Sequence, residues 1–190
     1  MGGMISIKAE DKLKEAKYFL NKLKEISRTI SAESDWEEGR DVYAIEPKFK
    51  YNFSACVTAL MSVYDVLLYD YAEKYFKLSP ARQYYMDENL FSKKANACGS
   101  SESKEFIKWY REKFKKLRKE HLHSVRIATV HRGGTWMGTK LKDTYTMTKE
   151  RNRLEKEIWI GNMPETVVVS ECEKIYHQMD EIVKKAREEF

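Results

Sequence analysis

Apolar residues return every three or four positions in four separate stretches of this chain, and that spacing predicts amphipathic helices. In residues 5 to 30, Leu13, Ala16, Leu20, Leu23, Ile26 and Ile30 keep the helical interval with Lys and Glu between them. Over 48 to 77, Val57, Leu60, Met61, Tyr64, Leu67, Leu68 and Tyr71 mark a broad apolar face. Ser54, Ala55, Thr58, Ala59 and Ser62 add small side chains to the same helix, which let another backbone come close. A buried central helix is the reading this favours, and a dimer contact is the other. The third stretch, 104 to 132, carries Phe106, Ile107, Trp109, Tyr110, Phe114, Leu117, Leu122 and Val125. In the fourth, 170 to 188, Ser170 and Glu173 fit a capping box, and Cys172, Ile175, Tyr176, Met179, Ile182, Val183 and Ala186 follow at helical spacing.

The intervening segments read differently. Residues 31 to 50 are acidic and close with Pro47, which predicts an irregular surface connection pinned by Trp36 and Tyr43. Ser79 and Pro80 form a helix start, hydroxyl first and proline at the first helical position. A shorter element over 80 to 95 follows, with Tyr84, Tyr85, Met86, Leu90 and Phe91 as core residues or, less commonly, a base-stacking surface. Cys98 to Ser103 reads as a flexible break. Beyond Gly134 the pattern turns β-favouring at Thr144–Thr148 and Glu157–Ile160, with a turn at 161 to 164. A small hairpin or flap anchored by Trp136, Tyr145 and Trp159 is expected there. The fold class expected is therefore mainly all-α. Core helices lie at about 5–30, 48–77, 104–132 and 170–188, with an added short helix and a hairpin region at about 135–165, in one domain spanning 1–190.

Composition narrows the class without changing the fold. Charged residues make up 34% of the chain and hydrophobic ones 42%, with 3 Pro and 8 Gly, as a helical globule requires. The longest uncharged run near the middle, Tyr51 to Tyr64, is 14 residues, short of a bilayer span. The opening MGGMISIKAEDK has no apolar secretory core. Cys56, Cys98 and Cys172 are odd in number and widely spaced, which argues for reduced thiols and against a disulfide framework or a zinc site. His121 and His123 stand about 200° apart on a helix and cannot share an ion. The expectation is a cytoplasmic protein with no metal, no cofactor and no membrane partner.

Charge changes the picture more. The net charge is +5, and residues 104 to 132 alone carry ten Lys and Arg against three Glu, a net +7. The remainder is slightly acidic. Lys115, Lys116, Arg118 and Lys119 are the densest part of this segment and the candidate contacts for an anionic partner such as RNA or a nucleotide. A basic run equally suits a solvated helix face.

At the end of that segment Arg126 and His131 form the one constellation in the chain that reads as chemistry. Arginine offers phosphate a permanently charged planar fork, and histidine exchanges protons near neutral pH. Five residues of helix turn about 500°, which would leave the two side chains about 140° apart. A helix ending at His131, a tightened last turn or a second protomer would bring them together. Gly133 and Gly134 favour the first, since glycine commonly closes a helix. Arg132 adds a further cation, and Asp65, beside the apolar face of the second helix, would need a partner if buried, for which Arg126 is the candidate.

The stretch YNFSACVTALMSVYDVL, the later WY and the closing RIATVHRG together resemble the HEPN superfamily, the higher-eukaryote and prokaryote nucleotide-binding helical domains. In that family an Arg, four to six residues and a His close the third helix. The resemblance covers roughly residues 48 to 134 and the final helix. It implies an antiparallel four-helix bundle and, in many members, a metal-independent ribonuclease of a toxin–antitoxin or other defence system, with its site shared across a homodimer. Arg126 would then hold the scissile phosphate and His131 act as general base or acid, leaving a 2′,3′-cyclic phosphate and a 5′-hydroxyl. An antitoxin-like protein would be a further partner. Two departures stand out: Ile127 occupies the place where the motif usually has a polar residue, most often Asn, and Gly133 stands where some toxin members have Tyr. Other members are catalytically silent and bind nucleotide, nucleic acid or protein.

Overall fold

The computed structural model describes residues 8–32, 42–78, 86–117, 137–142, 155–160 and 163–190. In chain order these form α1 (Ala9–Ala32), α2 (Val42–Phe76), α3 (Glu88–Cys98), α4 (Ser101–Leu117), β1 (Met137–Lys142), β2 (Glu155–Ile160), β3 (Met163–Pro164) and α5 (Glu165–Glu189). Helices dominate, and they pack as a bundle around α2.

The most apolar helix is central because other helices cover it on several sides. α1 runs antiparallel to it: the Cys56 thiol donates to the Ala16 carbonyl at 3.8 Å, and the Ala9 N–H donates to Asp70 Oδ2 at 3.1 Å. Asp70 thereby satisfies a donor that the first turn of α1 leaves open. α5 lies alongside α2 and opposite in direction to α1. Its Ala186 carbonyl accepts from the Tyr71 hydroxyl, while Glu173 pairs with Lys24 and Arg187 with Glu10. α4 comes down the remaining side, antiparallel to α2, through a seam of rings. Tyr71 stacks on Phe106 at 4.2 Å between centroids, and Tyr64 meets Tyr110 at 4.8 Å and Phe114 at 4.0 Å. α3 closes this seam with Phe91, 5.4 Å from Phe106 and 4.9 Å from Phe76. Phe49, Phe91, Phe106, Tyr110 and Phe114 are all buried.

Several boundaries differ from the sequence reading, each for a local reason. Residues 42 to 50, expected as an irregular connection, are the first turns of α2. Pro47 sits early enough in that helix to remove only one intrahelical bond, and Phe49 behind it is already buried. The expected flexible break at Cys98 to Ser103 is a tight corner. Gly99 takes the left-handed conformation (φ 71°) that ends α3, and α4 begins two residues later. There the Ser103 N–H donates to Ser100 Oγ at 3.4 Å and the Ser103 hydroxyl to the Ser100 carbonyl at 3.0 Å, which fixes the turn and lets Ser103 be buried. The short helix starts on Asp87, whose carboxylate accepts from the Leu90 N–H at 2.7 Å; Ser79 and Pro80 lie outside the described residues. α5 starts five residues before the proposed capping box, so Ser170 is an exposed position inside it. Val168 and Val169 pack in the core and extend the helix backward.

Ahead of α5 lies a three-stranded antiparallel sheet in the order β1-β2-β3. Met137 pairs with Ile160 and Lys142 with Glu155, and Ile160 pairs in turn with Met163, so the chain reverses between those two. Thr144–Thr148, expected as a strand, and the anchors Trp136 and Tyr145 lie outside the described residues.

α2 is also longer than its uncharged run. Pro47–Phe76, 30 residues, is long and apolar enough to cross a membrane by length and composition, and half of its most apolar part is buried. A central core helix meets the same test.

Two consequences of the ring seam are measurable. Phe106→Ala removes the ring shared by Tyr71, Phe91, Trp109 and Tyr110, and should cost about 3–5 kcal/mol of unfolding free energy in urea denaturation; a loss under about 1 kcal/mol would contradict this packing. Burial raises Tyr71 and Tyr75 to about 12 and pushes Tyr110 well above the ordinary tyrosine range. Between pH 10 and 12 the folded chain then holds protons that the unfolded chain has lost, so stability falls as pH rises through that window. Phenolate absorbance should show this group titrating late, together with unfolding; titration of all 12 tyrosines near pH 10 with the fold intact would count against it.

Candidate functional site

α4 is two-sided. Ser103, Phe106, Ile107, Tyr110, Phe114 and Leu117 are buried, while Lys104, Lys108, Arg111 and Lys115 are exposed. At about 100° per residue, steps of four, three and four keep these four cations within a sector of about 60°. They therefore form one stripe along the helix, with neighbours about 4.5–6 Å apart along its axis. Exposed Glu105 and Glu112 flank it on one side.

Contacts behind α4 hold its rotation and so aim the stripe. The Tyr110 hydroxyl donates to the Tyr64 carbonyl of α2 at 3.1 Å. Arg111 reaches across to α3, with Nε 3.4 Å from Glu88 Oε2 and a guanidinium N–H donating to the Glu88 carbonyl at 3.2 Å. Glu88 in turn accepts from the Tyr64 hydroxyl, so one carboxylate ties α2, α3 and α4. Burial, followed by the negative charges of Asp65 and Glu88, is what holds Tyr110 protonated. Arg111 is thus committed to the scaffold. Among the described residues, Lys104, Lys108 and Lys115 have no carboxylate within 4 Å and remain available to an anion.

The residues singled out from the sequence fall as follows. Lys115 is in the stripe. Lys116 belongs to α4, one residue or about 100° round from it, and its side chain is outside the described set. Arg118, Lys119, Arg126, His131 and Arg132 lie outside the described residues altogether. Asp65 sits half-buried on α2, one residue from Tyr64 and close enough to Tyr110 to affect its ionisation. Lys104 and Lys108 were not singled out as contacts. Their signal was available, because the 104, 108, 111, 115 interval repeats the period of the apolar face one side over.

Chemistry at the described residues is otherwise sparse. No group of three or more His, Cys, Asp or Glu among them is placed to hold a metal ion. Cys98 is exposed at the α3–α4 corner, where the Ser100 N–H and the Ser103 hydroxyl, 3.6 Å away, hold its thiol below the usual cysteine range. Comparison with known proteins returns no matching family model, no matching curated protein and no matching solved structure.

If the stripe contacts a polyanion, its removal has a distinct signature. Lys104, Lys108 and Lys115 all replaced by Ala should leave thermal stability nearly unchanged, since each is exposed and meets no carboxylate among the described residues. The slope of log affinity against log salt for single-stranded RNA should shrink by about 2, at about 0.7 for each phosphate no longer neutralised. An unchanged slope would mean the stripe is solvated only.

Proposed function

We propose that this chain is an RNA-directed protein of the HEPN type, a metal-independent endoribonuclease in which the cationic face of α4 holds the phosphodiester backbone and Arg126 and His131 cut it. The observation that carries the reading is the lysine stripe, three cations without carboxylate partners among the described residues, on a helix that leads in sequence straight to Arg126. An electrostatic track of this kind raises the local concentration of a polyanion and sets its direction before any chemistry. The helical arrangement around α2 is compatible with the bundle expected of that family.

In this reading Arg126 neutralises charge that develops on the non-bridging oxygens of the scissile phosphate. His131 takes the proton from the adjacent 2′-hydroxyl, the 2′-oxygen attacks phosphorus, and the 5′-oxygen leaves. Every oxygen needed is already in the RNA, so neither a metal nor water enters the first step. Two copies around one cleft would supply two Arg and two His, which answers the 140° problem posed by a five-residue separation. Asp65 and Arg132 support the pair, an antitoxin-like protein would restrain it, and the cytoplasm is where such an enzyme meets its substrate.

A second reading keeps the RNA contact and drops the cleavage. Ile127, where the family motif usually has a polar residue, favours it: the chain would then be a silent binding module for RNA, nucleotide or a protein.

Mixed-sequence RNA incubated in EDTA separates the two. The wild type should cut it to fragments ending in 2′,3′-cyclic phosphate, and His131→Ala should be slower by about 10²-fold or more with RNA affinity retained. Retained affinity with no wild-type cleavage would replace the enzyme by the binding module, and absence of both would remove the proposal.

A further inference from the structure

That reading leaves α3 without a part, although α3 packs beside the lysine stripe. Its exposed side carries Asn89 and Asn96, and neither carboxamide has a hydrogen-bond partner among the described residues. Helical rotation fixes where they sit. Phe91 of α3 meets Phe76 of α2 at 4.9 Å between centroids. About 60° further round α3 comes Glu88, which pairs with Arg111 of α4. Ser92, Asn96 and Asn89 follow about 40°, 80° and 100° beyond Glu88, on the side that continues past α4 toward solvent. On α4 the same seam is left at Arg111, and Lys104, Lys115 and Lys108 follow within about 60° of it. The two faces therefore flank one groove, with amides on one wall and ammonium groups on the other.

The levels match as well. α3 and α4 run antiparallel through the Gly99 corner, with Glu88 opposite Arg111 and Phe91 at 5.4 Å from Phe106. Counting from Glu88 and Arg111, Asn96 lies about 12 Å along α3 and Lys104 about 10.5 Å along α4, so these two are nearly level. Asn89 falls between the levels of Arg111 and Lys108 in the same way. Ser92, between the amides, has its hydroxyl committed to the Glu88 carbonyl at 2.8 Å. The two carboxamides are thus the free hydrogen-bonding groups of this wall.

We propose that this groove binds single-stranded RNA with phosphates on its lysines and adenine bases on Asn89 and Asn96. The inference rests on the RNA-directed reading above and adds base choice to it. Lysine is a point charge that any phosphate satisfies, so the stripe by itself cannot tell one sequence from another. A carboxamide can. Its oxygen accepts and its NH2 donates, and adenine offers the matching donor N6 and acceptor N7 on one edge. In an A-form duplex that edge faces a deep, narrow groove closed to side chains, which restricts the reading to single strands. Asn89 and Asn96 are about 10.5 Å apart along α3, too far to hold one base, so each takes its own.

The test measures binding of the full chain, carrying His131→Ala so that the RNA survives, to short labelled single strands of A, of U and of 7-deazaadenine. Oligo-A should bind about tenfold more tightly than oligo-U, and 7-deazaadenine, in which carbon replaces N7, should lose most of that margin. Asn89→Ala combined with Asn96→Ala should bring oligo-A down to the affinity of oligo-U, with oligo-U binding and its salt slope unchanged. Both positions are exposed, so thermal stability should hardly move. The 7-deazaadenine arm needs no substitution in the groove and decides alone if the double variant does not fold. Equal affinity for oligo-A and oligo-U would overturn the base assignment and leave the RNA reading standing. So would an A preference that survives the loss of N7 or of both amides. Binding to none of these strands would remove the assignment and the RNA reading together.

Discussion

The stack of Tyr71 on Phe106 sets the distance between α2 and α4, and the remaining packing follows from that distance. Rings this large keep two helix backbones well apart while burying more apolar surface than aliphatic side chains would. Tyr64, Tyr110 and Phe114 fill the lower part of the gap, and Phe91 of α3 fills the upper part against Phe76 at the end of α2. The opposite side of α2 is built in the reverse manner. Ala16, Cys56 and Cys172 are small and buried, and α1 comes close enough to α2 for the Cys56 thiol to reach the Ala16 carbonyl. One helix thus separates a wide aromatic seam from a narrow one, and its high hydropathy reflects demands on both sides.

That division explains what the sequence could and could not disclose. The 3.6-residue period of Leu13, Leu20 and Leu23, of Val57, Leu60 and Leu67, and of Ile175, Met179 and Val183 places each on a buried face, and each is buried. Helix ends were harder. Pro47 and the acidic residues before it suggested a loop, because a proline signal is local whereas the burial of Phe49 is a tertiary effect. Ser170 and Glu173 satisfied the capping-box pattern, yet a helix extends past a good cap when residues beyond it gain burial, as Val168 and Val169 do. The serine run after Gly99 looked featureless because its order comes from hydrogen bonds between serines, which composition does not register.

The candidate site was legible in its charge and not in its geometry. A net charge of +7 over 104 to 132 marked the segment, but counting density drew attention to Lys115 through Lys119 rather than to the stripe. Density sums every face of a helix, whereas a partner meets only one. The stripe also requires its cations to be unpaired, and Arg111, equal to the lysines in sequence terms, is withdrawn by Glu88. What separates the three lysines from the arginine is a carboxylate more than twenty positions away, brought there by the fold.

The corner at Gly99 and Ser100 has a consequence for the order in which the bundle assembles. α3 and α4 are joined by two residues, so their contacts, Phe91 with Phe106 and Glu88 with Arg111, span little chain and need little loop closure. The pairing of α1 with α5 brings together residues as far apart as Lys24 and Glu173. Local contacts form before distant ones, so the α3–α4 unit is the natural first half of the aromatic seam, waiting for Tyr64, Tyr71 and Phe76. The cationic stripe would then be displayed on a folded surface before the helices that bury the two core thiols have met.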